Sequence, residues 1–210
     1  MLISKFQQNR GDTLIEVLFA TAIFGLIAVG GLAIMNQGLS ASQRALEITL
    51  VRNEVDAQAE TLRFLNASYI AAYQPNSSYA ANTPAGQWAL ISENATNDSA
   101  SNFSMAGAKC PSSSQALREN SFIINTKNGK YTALNVSTFK PSRTFSQVGY
   151  DVNGIITSVE GVWIEAVRSV LSGNPNQAGY IDFHIRACWD STGQSTPATI
   201  GTIVRLYEPR

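Results

Sequence analysis

Residues that carry catalytic or metal chemistry are scarce in this chain. Its 210 residues include two cysteines and one histidine, too few for a Cys/His zinc cluster. No Walker, G-x-S-x-G or zinc motif occurs, so we expect no metal, no cofactor and no enzymatic activity. Acidic and basic residues are equal in number and together make up only 14% of the chain, so a basic footprint for stable nucleic-acid binding is missing. A polar surface with so few charges suits an extracellular protein better than a cytosolic enzyme.

Proline is absent before Pro75, and the N-terminal part instead holds a long apolar run. Leu14–Met35 spans 22 residues with one charge, Glu16, which is enough to cross ~30 Å of hydrocarbon at ~1.5 Å per residue. Lys5 and Arg10 precede the run, and the positive-inside rule then predicts a single-pass helix with a cytoplasmic N-terminus. An acidic residue costs roughly 2.5–3.5 kcal/mol at a bilayer centre and less near the interface. We therefore expect Glu16 to serve pairing with another subunit.

The start of the run resembles the class III signal of type IV prepilins and type II secretion pseudopilins. In that family a membrane peptidase cuts after a Gly, which is followed by one variable residue and then T-L-I/L-E. The resemblance covers roughly residues 5–40 and implies that prepilin peptidase removes a leader, residues 1–11. An unrelated signal-anchor helix is the alternative. The matching residues are Gly11, Thr13, Leu14, Ile15 and Glu16.

Asp12 takes the position after the cut, where the family usually has Phe or Met. The family's peptidase also methylates the new α-amino group, and Asp12 leaves that modification open. A helix shifted along a filament would place Glu16 beside the α-ammonium of a neighbouring subunit, a pair that is attractive in low dielectric. Such a pair would set the register of subunit addition. The alternative is a Glu16 side chain that reaches the lipid headgroups.

The helix is predicted to continue beyond the apolar run, from about Thr13 to about Ala72, and we assign residues 12–73 to it. Arg52/Asp56 and Glu60/Arg63 stand at helical pairing distance. This second half has one apolar face, which needs a partner surface such as a C-terminal domain. The apolar residues that recur at helical spacing are Ile48, Val51, Val55, Leu62, Leu65 and Tyr69.

Residues 74–121 are predicted to form an irregular segment, with a short strand over Trp88–Ile91, and residues 122–210 an antiparallel sheet domain. Asn128-Gly129 and Asn153-Gly154 each lie between apolar stretches, a hairpin signature. The fold class is therefore α+β and pilin-like, with the sheet packed on the second half of the helix. The further strand candidates are Gly161–Val170, Tyr180–Trp189 and Thr199–Glu208.

The strand Tyr180–Trp189 shows the clearest alternation in the chain. Ile181, Phe183 and Ile185 are expected to face the core, while His184 faces the other side and is expected to be exposed. The three tryptophans, Trp88, Trp163 and Trp189, are expected in the core or on a sheet face.

One disulfide is possible, between Cys110 and Cys188, and it would close a loop of 79 residues. It would tie the irregular segment to the last long hairpin. Two free buried thiols are the alternative, which is less consistent with a location outside the cytoplasm.

The resemblance implies a structural subunit, most like a minor pilin of a type IV pilus. Its expected partners are other pilin subunits, prepilin peptidase and the cytoplasmic membrane before assembly; afterwards it would lie in an extracellular pilus. The surface role would be in assembly, adhesion, motility or DNA uptake. A minor pseudopilin of type II secretion is one alternative, and a membrane-anchored surface enzyme is another.

Overall fold

A computed structural model describes residues 12–97, 110–169, 179–191, 194 and 196–209. The predicted leader, residues 1–11 with Gly11, lies outside these described residues. The chain divides into two units, Met1–Gln43 and Arg44–Arg210, and the division falls within the first helix. The elements in chain order are α1 (Asp12–Ala72), α2 (Pro84–Glu93), β1 (Phe122–Ile124), β2 (Tyr131–Ala133), β3 (Phe139–Lys140), β4 (Gln147–Tyr150), β5 (Ile156–Glu160), β6 (Val162–Arg168), β7 (Tyr180–Trp189) and β8 (Ala198–Tyr207).

The first helix confirms the prediction of one long N-terminal helix. It begins at Asp12 and ends at Ala72, 61 residues in all. Its sequence contains no proline, so no residue beyond the first turn lacks the backbone N–H that the helix needs. A turn follows, in which the Ser77 N–H donates to the Gln74 carbonyl at 3.2 Å and Asn76 adopts a positive φ of 62°.

The described residues of the second unit form two sheets. The larger has the strand order β2-β1-β6-β7-β8, and every pairing in it is antiparallel. The smaller has the order β3-β5-β4, with β3 and β5 parallel. The sequence predicts the antiparallel sheet but not the separate three-stranded one. A bridge between Ser142 and Trp189 links the segment after β3 to the end of β7.

Both predicted hairpins are confirmed. β1 pairs with β2 and β4 pairs with β5, each antiparallel. Gly129 and Gly154 have φ values of 71° and 76°, the left-handed region that glycine adopts without strain. In the second turn the Asp151 carboxylate accepts hydrogen bonds from the backbone N–H groups of Asn153 and Ile155. The segment from Asp151 to Ile155 is therefore the turn of the second hairpin, as the sequence predicts.

The core lies between the sheets and the second half of α1. The middle of the predicted apolar stripe is buried, with Val51, Leu62 and Leu65 fully covered and Val55 2% exposed, while its two ends, Ile48 and Tyr69, are partly buried against the core. Trp88 and Trp189 are also fully covered, and Trp163 is 4% exposed. Fully burying one such aliphatic side chain contributes about 1.5–3 kcal/mol, so this stripe fixes the second half of α1 to the sheet domain.

The prediction of a strand over Trp88–Ile91 is wrong, because these residues belong to α2. Thr83 has extended backbone angles, and its hydroxyl accepts a hydrogen bond from the Gly86 N–H. Pro84 takes the first helical position, where its missing N–H costs nothing and its fixed φ suits a helix. The segment 74–121 therefore contains a capped helix of ten residues, and is not irregular throughout.

A buried glutamine of α1 takes the place of a neighbouring strand. Gln58 is fully buried; its amide nitrogen donates to the Ile124 carbonyl at 2.9 Å, and its oxygen accepts from the Ile124 N–H at 3.1 Å. These bonds form where pairing between β1 and β6 is limited to Phe122 and Ile164. The Gln58 nitrogen also donates to Glu54, a carboxyl whose pKa is raised by burial. One side chain thus satisfies both backbone groups of Ile124.

We expect Gln58→Leu to lower the free energy of unfolding by about 2–6 kcal/mol. The substitution keeps the volume but leaves two buried backbone groups without partners, at about 1–3 kcal/mol each. The measurement is denaturant unfolding of the full chain in detergent, followed by tryptophan fluorescence. Gln43→Leu is the matched control, since Gln43 is exposed on the same helix and should change stability by less than ~0.5 kcal/mol. Equal effects of the two variants would contradict this role of Gln58.

Candidate functional site

The first part of α1 is apolar and exposed on every side. From Leu14 to Met35 the large apolar side chains are between 54% and 74% exposed. In an amphipathic helix the apolar residues form a stripe along one side. Here the apolar residues lie all around the helix axis. Among the described residues, one helix is long and apolar enough to cross a membrane, and it is α1. A surface of this kind is suited to lipid or to packing among other apolar helices.

The hydroxyl groups of Thr21, in this part of α1, and of Ser40, just beyond it, are satisfied within the helix. The Thr21 hydroxyl donates to the Val17 carbonyl at 2.9 Å, with the Leu18 carbonyl at 3.0 Å. The Ser40 hydroxyl donates to the Gln37 carbonyl at 3.0 Å. Because these bonds form inside the helix, neither hydroxyl requires water as a partner.

The predicted processing and assembly residues form the start of this helix. Asp12 is its first residue, and Thr13, Leu14 and Ile15 follow in the first turn. Leu14 and Ile15 are exposed. Glu16, also exposed, comes four residues after Asp12, about 6 Å further along the axis at ~1.5 Å per residue. Glu16 is thus close to the positive end of the helix dipole and to the N-terminus that cleavage before Asp12 would create.

The structure joins Cys110 to Cys188. The sulfur–sulfur distance is 2.04 Å and the two Cα atoms are 5.5 Å apart. Cys188 lies near the end of β7, which pairs with β6 on one side and β8 on the other, and it is buried. The bond therefore attaches the segment that begins at Cys110 to the larger sheet, as expected from the sequence.

His184 is buried, which corrects the prediction that it is exposed. It is 8% exposed and lies directly opposite Glu165 of β6, which is equally buried. Arg118, in the segment that follows Cys110, is close enough to affect the titration of both groups. This face of β7 is therefore covered at His184, while Asp182 and Arg186 on the same face stay partly exposed.

Burial shifts the pKa of Glu165 and the pKa of His184 in opposite directions. It raises the pKa of Glu165, an effect that the hydrogen bond from the Trp163 indole N–H and the charge of Arg186 partly offset. Burial also lowers the pKa of His184, and the charge of Arg186 acts in the same direction. Sequence reasoning missed Glu165, because no local pattern shows that this side of β6 is covered. In the described part of the chain, no group of His, Cys, Asp and Glu side chains could hold a metal ion.

A shallow groove lies between α1 and the first hairpin turn. Its walls include Phe64 and Glu60 on the helix and Lys127 in the turn. Phe64 is exposed, and the Lys127 ammonium lies 4.4 Å from the centre of the Tyr150 ring. This surface combines an apolar side chain with charges of both signs.

Comparison with protein-family models, curated proteins and solved structures finds no match to this chain.

Proposed function

We propose that this protein is a minor subunit of a type IV pilus. The observation that carries the proposal is the composition of α1: an exposed apolar stretch with Glu16 near its start, followed by a stripe buried under the sheet domain. The first part is suited to storage in the membrane and then to packing among other such helices. The second part attaches the folded, polar sheet domain to the same helix. The prepilin-like signal at Gly11 to Glu16 supports the same assignment.

In this proposal prepilin peptidase cleaves the chain after Gly11 while the N-terminus faces the cytoplasm. Cleavage creates an α-ammonium at Asp12, and the subunit remains in the membrane through Leu14–Met35. During assembly the Glu16 carboxylate pairs with the α-ammonium of a neighbouring subunit. Leaving either charge alone in an apolar surrounding is costly, so the pair favours one register of addition over others. The sheet domain, tied by its disulfide, is exported to the filament surface.

Mass spectrometry of the mature N-terminus tests the processing step. We expect a chain that begins at Asp12 in cells with the peptidase and a full-length chain in cells without it. Gly11→Val should keep residues 1–11 attached, because a bulky residue replaces the glycine at the cleavage site. The matched control is Gly38→Val, in α1, where no atom outside the adjacent residues and the helix's own backbone lies within 4 Å of the position that a Cβ would take. This control should be processed normally.

An intact N-terminus with no dependence on the peptidase would contradict the proposal and favour a signal-anchored surface protein. If the chain is processed, its location separates the two filament types. We expect the processed chain in filaments sheared from the cell surface. Processed chain found only in the cell envelope, together with a secretion defect on its deletion, would instead identify a minor pseudopilin.

A further inference from the structure

The larger sheet ends in a long edge strand, β8. It pairs with β7 over ten residues, and within the described residues no strand lies on its other side. At the opposite edge, β2 has only three residues. Proteins commonly protect a long edge with proline, lysine or a bulge, because its free backbone groups can pair with another chain. Between Ala198 and Tyr207, the sequence of β8 contains no proline and no lysine, and its register is unbroken.

The hydrogen bonds at the ends of the β7–β8 ladder show which residues of β8 face outward. Glu208 donates its N–H to Gly179, so the even-numbered residues of β8 are bonded to β7. Because the pattern alternates in an antiparallel pair, the odd-numbered residues direct both backbone groups away from β7. The Tyr207 carbonyl confirms this direction, since it accepts a hydrogen bond from the Asn66 side chain of α1.

The backbone N–H and C=O groups that face away from β7 are therefore available for pairing along part of β8. Tyr207 is engaged by Asn66, which leaves Thr199, Gly201, Ile203 and Arg205. In the described part of the chain, no hydrogen bond reaches the outward N–H or C=O groups of these four residues. The midpoint of the available stretch is Thr202.

The charges along this edge also favour a particular occupant. Arg205 carries the only formal charge in the sequence of β8, and Asp182 neutralises it through two hydrogen bonds of 2.7 and 2.8 Å. The guanidinium also lies 4.0 Å from the centre of the Tyr180 ring. The strand thus carries no net charge that would select an oppositely charged partner, but its backbone is complementary to an identical edge.

We infer that β8 binds β8 of a second copy of this chain, in antiparallel register about Thr202. In this register Arg205 lies opposite Thr199 of the other copy, and Ile203 lies opposite Gly201, which leaves room for the larger side chain. The two Arg205 residues are six strand positions apart, about 20 Å at ~3.3 Å per residue, well beyond a Debye length of ~8 Å. Four outward residues on each copy exchange about eight backbone hydrogen bonds. The two five-stranded sheets become one continuous sheet.

Pairing about Thr202 has a two-fold axis perpendicular to the sheet, so it turns the second halves of the two α1 helices, which pack on that sheet, in opposite directions. The inferred dimer is therefore formed by subunits outside a filament, and it is tested separately from the proposed function. Thr202 would lie opposite its own copy in a non-hydrogen-bonded pair, with Cα atoms ~4.5 Å apart, within the ~4.4–6.8 Å range of a disulfide. Thr202→Cys is introduced into the full chain in detergent micelles, where both native cysteines are already bonded to each other. Mild oxidation and non-reducing electrophoresis then measure covalent dimer.

Tyr207→Cys is the matched control on the same strand. Tyr207 is exposed, whereas Thr202 is half-buried, so random collisions would favour cross-linking at position 207. Position 207 lies opposite Tyr180 of β7, away from Cys188, so the new thiol does not exchange with the native disulfide. In the inferred register the two Tyr207 residues are about 33 Å apart, at ~3.3 Å per residue over ten positions. We expect Thr202→Cys to form covalent dimer at least about tenfold faster, because only its Cα atoms come within disulfide range. Equal rates, or a faster Tyr207→Cys, would overturn the inference.

A charge at the edge provides a second control. In the Thr202→Cys background, Ile203→Lys should reduce dimer formation at least about tenfold, because lysine on an edge opposes strand pairing. Ile155→Lys should leave it unchanged; Ile155 and Ile203 are 60% and 62% exposed, but Ile155 lies beside a turn. Cross-linking that is insensitive to Ile203→Lys would rule out pairing through this edge.

Hydrogen exchange on the unmodified chain tests the same edge without substitutions. The N–H groups of Ile200 and Val204 are internal standards, because they are bonded to β7 and should be protected at every protein concentration. The outward N–H groups of Gly201, Ile203 and Arg205 should become at least about tenfold better protected as concentration rises, because they gain partners only in the dimer. Fast exchange of the outward amides at all concentrations would refute pairing between copies.

Discussion

A Glu16→Gln chain is expected to be cleaved before Asp12 and retained in the membrane, yet to be almost absent from sheared filaments. Glu16 and Asp12 lie in the first two turns of α1, so a neighbour displaced along the filament can bring the carboxylate of one to the α-ammonium of the other. Without the carboxylate, each added subunit leaves an α-ammonium unpaired in an apolar surrounding. Removing one partner of a buried pair costs about 3–5 kcal/mol, which corresponds to roughly a hundredfold or greater loss of incorporation.

The measurement is the ratio of filament-bound to membrane-bound subunit, with the N-terminus of each fraction determined by mass spectrometry. Glu60→Gln is the matched control, because Glu60 is an exposed glutamate on the same helix, outside the apolar run. It should incorporate normally. Normal incorporation of Glu16→Gln would refute the pairing, and an uncleaved Glu16→Gln chain would place the role of Glu16 in recognition by the peptidase.

Loss of the disulfide is expected to lower the stability of the fold by several kcal/mol, about 4–5 by the chain-entropy relation. Cys110 and Cys188 are 78 residues apart in sequence, and the chain-entropy relation for a loop of this length gives roughly 4–5 kcal/mol. The double variant Cys110→Ala/Cys188→Ala should therefore lose about this much free energy of unfolding. Because native domains are stable by only ~5–15 kcal/mol, the variant should unfold at a much lower denaturant concentration.

Reductant supplies the control for this experiment. It should destabilise the native chain but leave the double variant unchanged, since the variant has no disulfide to reduce. Each single Cys→Ala variant should lose about as much stability as the double variant, because either substitution removes the same bond. Additive effects of the two single substitutions would show instead that the side chains stabilise the fold through packing.

The parts of the fold that depend on local patterns can be predicted from the sequence. The absence of proline and the helical spacing of Val51, Val55 and Leu62 define α1 and its buried side. The two Asn-Gly turns define both hairpins, because glycine is nearly alone in adopting positive φ without strain. These signals lie within a few residues of the structure they determine.

Most elements that sequence reasoning missed depend on distant contacts. β3 has two residues and pairs with β5 about twenty positions later, a contact that no local pattern encodes. The burial of His184 opposite Glu165 likewise depends on which strands become neighbours and on what covers them. The exception is α2, because Thr83-Pro84 is a recognisable helix start that predicts it.

The candidate sites show the same division, between those marked by a local sequence pattern and those that depend on distant contacts. The residues from Gly11 to Glu16 form a contiguous motif and are visible in the sequence alone. The available edge of β8 is not, because it depends on which strand ends the sheet and on Asn66, 141 residues before Tyr207. A sequence pattern can identify a strand, but only the strand order identifies an edge.

The separation in sequence between Gln58 and its partner has a consequence for how the chain folds during export. Gln58 binds Ile124, 66 residues later, and the other buried residues of α1 pack against strands that follow it. In the proposed orientation, the amphipathic half of α1 therefore leaves the membrane well before its partner strands are synthesised. Folding of a domain with such distant contacts is slow, because long loops must close before the native contacts form. In that orientation the stripe from Val51 to Leu65 would thus be open to chaperones and proteases until the strands that cover it have followed.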